Sequence, residues 1–112
     1  MKVLIEGKEM SITPALQEHA QKQARKIEKV GQKVIEVRLF LETIKRKSND
    51  PTANHVTYQV SIPGEDVVVK VHAADMYQAI VKATDAAQRK LRRMTEKQRD
   101  LKREEGGAGK AM

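Results

Sequence analysis

The stretch from Asp75 to Arg103, DMYQAIVKATDAAQRKLRRMTEKQRDLKR, constrains this chain more than any other. It contains neither proline nor glycine. Met76, Ile80, Ala83, Ala87, Leu91, Met94 and Leu101 recur at spacings of three, four or seven, the period of one helical stripe. Asp75 is placed to cap the first turn, and Gln78 three residues on completes a capping-box-like pair. Such a helix extends about 40 Å at a rise of about 1.5 Å per residue. Lys82, Arg89, Arg93 and Lys97 form a second stripe roughly a third of a turn away, flanked by Lys90, Arg92 and Arg99. The apolar stripe needs a covering layer, and the basic one needs an anion.

The covering layer is readable upstream. Val3-Leu4-Ile5, closed by Glu6-Gly7-Lys8, reads as an inner strand. Thr13-Pro14 opens a first helix, with Thr13 as cap and proline where its missing N–H does no harm. Leu16, Ala20, Ala24 and Ile27 make its buried stripe, and Gly31 is placed to end it. Lys22, Arg25, Lys26 and Lys29 crowd its other side, offset by Glu18 and Glu28.

From Ile35 to Thr43 the chain alternates, with Ile35, Val37, Leu39 and Leu41 facing inward and Glu36, Arg38, Phe40 and Glu42 outward. Lys45–Asn54 has the Ser, Asn, Asp and Pro content of a loop. His55–Ile62 alternates again, with Val56, Tyr58, Val60 and Ile62 inward. Pro63-Gly64-Glu65-Asp66 is read as a hairpin connection, and Val67–Ala73 as the returning strand with Val69 and Val71 inward. The order β-α-β-β-β-α predicts an α+β two-layer sandwich, a four-stranded sheet with both helices on one face and its other face open to water. Residues 1–103 form the predicted domain and 104–112 (EEGGAGKAM) a disordered tail.

Charge indicates the class of partner. Lys and Arg number 22 against 15 Asp and Glu, a formal charge of +7, which favours a polyanion. The absence of cysteine rules out a disulfide, a thiolate metal site and a cysteine nucleophile. The apolar N-terminal run is too short for a signal peptide and no stretch can span a bilayer, so the expected location is cytoplasmic, without membrane association.

Enzymatic chemistry finds little footing. His19, His55 and His72 have no metal-ligand spacing, and no glycine-rich phosphate loop or nucleophile elbow is present. Glu36 and Glu42 lie on a strand's solvent face, where they are expected to pair with Lys or Arg. The expectation is a non-enzymatic protein with no metal, cofactor or small-molecule substrate. Two helices with basic outer faces can merge into one phosphate-binding surface, although each alone can be read as a solvated face. Aromatic residues make up only 3% (Phe40, Tyr58 and Tyr77), which argues against a base-stacking platform of the RRM or OB kind.

Two segments carry a resemblance. MSITPALQEHAQKQARKIEKV (Met10–Val30) and DMYQAI (Asp75–Ile80) resemble the corresponding segments of the ribosome hibernation-promoting factor and ribosome-associated inhibitor family, over about residues 1–100 and in the same element order. The resemblance implies a fold like a double-stranded-RNA-binding domain. It also implies a non-enzymatic factor that binds the small ribosomal subunit and its 16S rRNA in the mRNA channel over the tRNA sites. Translation would be inhibited there by steric occupancy, in competition with mRNA and tRNA.

Family rRNA contacts carry over to Arg25, Lys26, Lys29, Arg89 and Arg93; helical geometry adds Lys22, Lys82, Lys90 and Lys97. Ala86-Ala87 stands where relatives often carry a lysine and a leucine, and Lys90 with Arg92 is placed to compensate. The resemblance is to the short form, but the tail matches neither the acidic extension of one subgroup nor the dimerisation domain of the long form, so the subgroup, and with it ribosome dimerisation, stays open. Two alternatives remain open at this point. One is a protein-interaction regulator that modulates a sigma factor. The other is a generic structured-RNA binder, disfavoured because Asp75-Met76-Tyr77 replaces the lysine-rich helix start usual in those domains.

Overall fold

The N-terminal apolar run, the three following strand segments and the two capped stripes form six main elements: β1 (Lys2–Lys8), α1 (Pro14–Arg25), β2 (Glu36–Thr43), β3 (Asn54–Ile62), β4 (Glu65–Ala73) and α2 (Met76–Ala108). A 3₁₀ turn at Lys26–Val30 continues α1. This computed structural model describes residues 1–30, 33–44 and 52–108, with side chains through residue 96. Gly31 as a helix terminator, residues 45–51 of the expected loop, the side chains of Lys97 and Leu101, and residues 109–112 lie outside the described residues. The helical backbone of α2 continues past Arg103, where the sequence places the start of the tail, as far as Ala108.

The strands make one mixed sheet in the order β1-β2-β3-β4, parallel between β1 and β2 and antiparallel elsewhere. Register lines up the inward residues in rows: Val3, Val37, Val60, Val67; then Ile5, Leu39, Tyr58, Val69; then Gly7, Leu41, Val56, Val71. The third row ends in glycine for a steric reason. A Cβ on Gly7 would stand 2.7 Å from the Met10 carbonyl oxygen, where the chain folds back toward α1.

Three local expectations are corrected. Val3-Leu4-Ile5 is half-buried in an edge strand and not an inner one, because β2, β3 and β4 form a continuous meander and β1 adds at the outer side of β2. Ile35 is 53% exposed rather than buried; it stands at the end of the sheet, its backbone bonded to Ser61 and Lys2, one residue before β2 begins at Glu36. Glu65 and Asp66 already belong to β4, leaving Pro63-Gly64 as a two-residue connection. Gly64 has φ of +90°, the left-handed conformation that the second central residue of a Pro-Gly type II turn requires.

Both helices cover one face. Leu16, Ala20 and Ala24 of α1 and Ile27 of the 3₁₀ turn share one buried cluster with Met76, Ile80, Ala83, Ala87 and Leu91 of α2 and with the inward strand residues. Full burial of each large aliphatic contributes about 1.5–3 kcal/mol. The Thr13 hydroxyl accepts from the Leu16 N–H at 3.2 Å, capping α1 with Pro14 at its first position. Asp75 accepts from the Gln78 N–H at 3.3 Å, capping α2.

Buried polar groups fix where α2 sits. The Tyr58 hydroxyl donates to Thr84 Oγ1 at 2.9 Å, while Thr84 donates to the Ile80 carbonyl at 2.8 Å. Burial pushes the Tyr58 phenol up to about 12, although its bond to Thr84 pulls the other way. Thr43 donates to Asn54 Oδ1 at 2.9 Å, and Asn54 Nδ2 donates to the Ala74 carbonyl at 2.7 Å. Asn54 therefore ties β2 and β3 to the residue just before the α2 cap. The opposite sheet face stays open, and there Glu36 pairs with Arg38 at 2.6 Å and Glu42 with Lys8 at 3.5 Å, as expected for solvent-face carboxylates.

Candidate nucleic-acid interface

Burial of one helical stripe dictates what the opposite stripe presents. With Leu16, Ala20 and Ala24 inward, a step of about 100° per residue turns Lys22 and Arg25 outward, and both are exposed. Ile27 holds the 3₁₀ turn down, leaving Lys26 and Lys29 exposed on either side of it. On α2, the buried Ile80, Ala83, Ala87 and Leu91 leave Lys82, Arg89, Lys90, Arg92 and Arg93 exposed.

Two contacts join these sets. The rings of His19 and Tyr77 stand 4.9 Å apart, and Gln88 Nε2 donates to the Lys26 carbonyl at 2.9 Å. Residue 19 therefore lies beside 77 and residue 26 beside 88, so α1 and α2 run in the same direction. Their basic stretches are brought level, with Lys26 next to the turn of α2 that carries Arg89 and Arg92. The two basic stretches therefore lie on adjacent, parallel helices.

The cations are not equivalent. Lys22 lies 3.3 Å from Glu18 and Arg89 lies 3.0 Å from Asp85, both exposed i,i+4 pairs that solvent screens and that contribute little. Lys82 reaches the His72 carbonyl at 3.4 Å and Lys90 the Val68 carbonyl at 3.1 Å, so both lean over the free edge of β4. Arg25, Lys26, Lys29, Arg92 and Arg93 have no side-chain partner among the described residues. Lys97 lies in α2, with its side chain outside the described residues.

Gln88, which bridges the helices, carries no sequence signal of that role; Asp85, a carboxylate inside the basic face, stands four residues before Arg89, a spacing legible in the sequence. The Gln88 bridge depends on where α1 packs, whereas the Asp85–Arg89 pair follows from their i,i+4 spacing on α2. Among the described residues no group of three or more His, Cys, Asp or Glu is placed to hold a metal ion. His55 and His72 oppose each other on the open sheet face with rings 5.9 Å apart, away from the basic surface. No helix among the described residues is long and apolar enough to cross a membrane. The arrangement can bind phosphates along two adjacent helices.

Residues 3–99 match the profile of the family described as sigma 54 modulation protein / S30EA ribosomal protein. The chain is similar to a ribosome hibernation promotion factor of Deinococcus radiodurans, at 28% identity over 92% of this chain and 52% of the relative. It thus spans about half that relative's length. It is also similar to a ribosome hibernation promoting factor of Acinetobacter guillouiae, at 31% identity over 90% of this chain and 89% of the relative.

Among solved structures, the Thermus thermophilus Protein Y N-terminal domain superimposes with a TM-score of 0.70 at 22% identity, covering 84% of this chain and 99% of that one. A ribosomal subunit interface protein from Coxiella burnetii gives 0.62 at 20% identity, covering 89% and 99%. At these identities the superpositions establish the α+β sandwich fold.

Proposed function

This chain belongs to the sigma 54 modulation protein / S30EA ribosomal protein family, and from that premise we propose that it is a cytoplasmic ribosome hibernation factor. It binds the small ribosomal subunit through 16S rRNA in the decoding channel over the tRNA sites, and inhibits translation by occupying that channel. The observation that carries this reading is the joined basic surface of α1 and α2, where Arg25, Lys26, Lys29, Arg92 and Arg93 have no partner among the described residues. Unpaired cations spread over a rigid two-helix surface suit the phosphate backbone of folded RNA. Lys22 and Arg89 join it by exchanging a surface carboxylate for phosphate, and Lys82, Lys90 and Lys97 border it.

Occupancy needs no reactive group, so the protein acts as a binder and not as an enzyme. The binding domain in this reading spans residues 1–103, and residues 104–112 are dispensable for contact with the small subunit. The test is translation on purified ribosomes, with the protein added before or after mRNA and initiator tRNA. Inhibition should be strong when the protein is added first and should weaken as mRNA rises. Equal inhibition in either order, at any mRNA concentration, rules out occupancy of the channel. Sedimentation with separated subunits should show binding to the small subunit alone, and a protein that sediments with neither subunit removes the ribosomal reading altogether.

A further inference from the structure

Beside the basic surface lies a feature that phosphate binding leaves unused. An open pocket of about 470 Å³ is lined by His19, Ala73, Tyr77, Gln78, Val81 and Lys82. Tyr77 is 40% exposed and Val81 43% exposed, two of the few large hydrophobic side chains that the fold leaves uncovered. They are four residues apart on α2 and so adjoin on one helix face. His19 holds the tyrosine from the α1 side. Its Nε2–H donates to the Tyr77 carbonyl at 3.2 Å, and its ring lies tilted by 57° against the tyrosine ring. The aromatic ring is thereby braced on one side and open to solvent on the other.

We propose that this pocket takes an unpaired nucleobase of the bound RNA, stacked on Tyr77 and packed against Val81. The proposal rests on the ribosomal reading above and adds to it a point of contact with a base. Charge decides the occupant. An apolar protein side chain would also fit the area, but the pocket's charged lining group is Lys82, and Lys22 follows His19 by one turn of α1. A polyanion carrying a π-face satisfies both features at once. Lys82 Nζ, held only by a 3.4 Å contact to the His72 carbonyl, can turn to the flanking phosphate. The Gln78 side-chain amide has no partner among the described residues and offers both a donor and an acceptor to the base edge. One braced tyrosine thus does for a single base what a multi-aromatic sheet does for several.

The experiment measures binding of the full chain to purified small ribosomal subunits across a salt series, for wild type, Tyr77→Phe, Tyr77→Leu and Tyr77→Ala. Stacking predicts that Tyr77→Phe binds like wild type, while Tyr77→Ala and Tyr77→Leu lose affinity by roughly 5- to 150-fold with the salt slope unchanged, because no phosphate contact is removed. Tyr77→Leu keeps apolar bulk and guards against a folding defect, which thermal unfolding of each variant also monitors.

Irradiation of the complex should attach a nucleotide to the tryptic peptide Val71–Lys82. Full affinity in Tyr77→Leu, or a crosslink to a ribosomal protein in place of a nucleotide, overturns the proposal. If wild type binds with a steep salt slope and all three variants match it, the base site falls and the phosphate reading stands. If wild type does not bind at all, both fall.

Discussion

Two variants with identical formal charge should separate placement from net charge. The first removes Arg25 and Arg93, one from each helix, both exposed and without a partner among the described residues. The second removes Lys8 and Lys70. Lys70 alternates with Val69 and Val71, which pack against the core, so it stands on the open sheet face. Lys8 lies 3.5 Å from Glu42 on the same open face.

Both double alanine variants lower the formal charge of +7 by two, to +5. Each phosphate contact contributes a slope of about −0.7 to −0.9 to log K against log salt, or about 5- to 8-fold in affinity near 0.1 M salt. Arg25→Ala with Arg93→Ala should therefore flatten the slope by about 1.4 to 1.8 and weaken binding about 25- to 60-fold near 0.1 M, with the difference vanishing toward about 1 M. Lys8→Ala with Lys70→Ala should stay within about 3-fold, through the long-range field alone. The assay is fluorescence anisotropy or filter binding of labelled protein to small subunits over that salt range. Equal slopes and equal losses in the two variants would show that affinity follows net charge, and the two-helix surface would lose its standing as the site.

Removing Asp85, the carboxylate that occupies Arg89 within the basic face, should tighten small-subunit binding about 5-fold and steepen the salt slope by about one contact; weaker binding by Asp85→Ala in the same titration would contradict this. Thr84→Ala strands the buried Tyr58 hydroxyl and should cost about 1–3 kcal/mol, whereas Tyr58→Phe leaves Thr84 bonded to Ile80 and should cost about 1 kcal/mol or less, with urea unfolding giving the order. Because the Tyr58 phenol is raised to about 12 in the fold against about 10 in the unfolded chain, the folded state holds its proton more tightly. Stability should be full below about pH 10 and fall by about 2–3 kcal/mol as pH rises toward about 12. Tyr58→Phe should remove that alkaline loss, and an unchanged loss in urea melts at high pH would assign it elsewhere.

What the sequence determined by itself is what neighbours along the chain decide. Val37, Leu39 and Leu41, the alternation of β3, the stripes Leu16–Ala20–Ala24 and Ile80–Ala83–Ala87–Leu91, and the caps at Thr13 and Asp75 stand where local period and capping chemistry put them. Exposure of the basic residues followed from the same stripes. Contacts between distant segments needed the fold. Sheet order put β1 at one edge, and the free edge of β4 drew Lys82 and Lys90 away from an otherwise uniform basic stripe. The end of the sheet at Ile35 left its side chain exposed. The parallel packing of α1 on α2 set Lys26 against Gln88 and His19 against Tyr77, making one surface from two and bracing a ring that its own helix leaves exposed. Periodicity records which side of an element is dry, since burial acts on every residue of a stripe alike; which element lies beside it depends on contacts between residues 58 to 62 positions apart, as in these two pairs, and no local pattern encodes them.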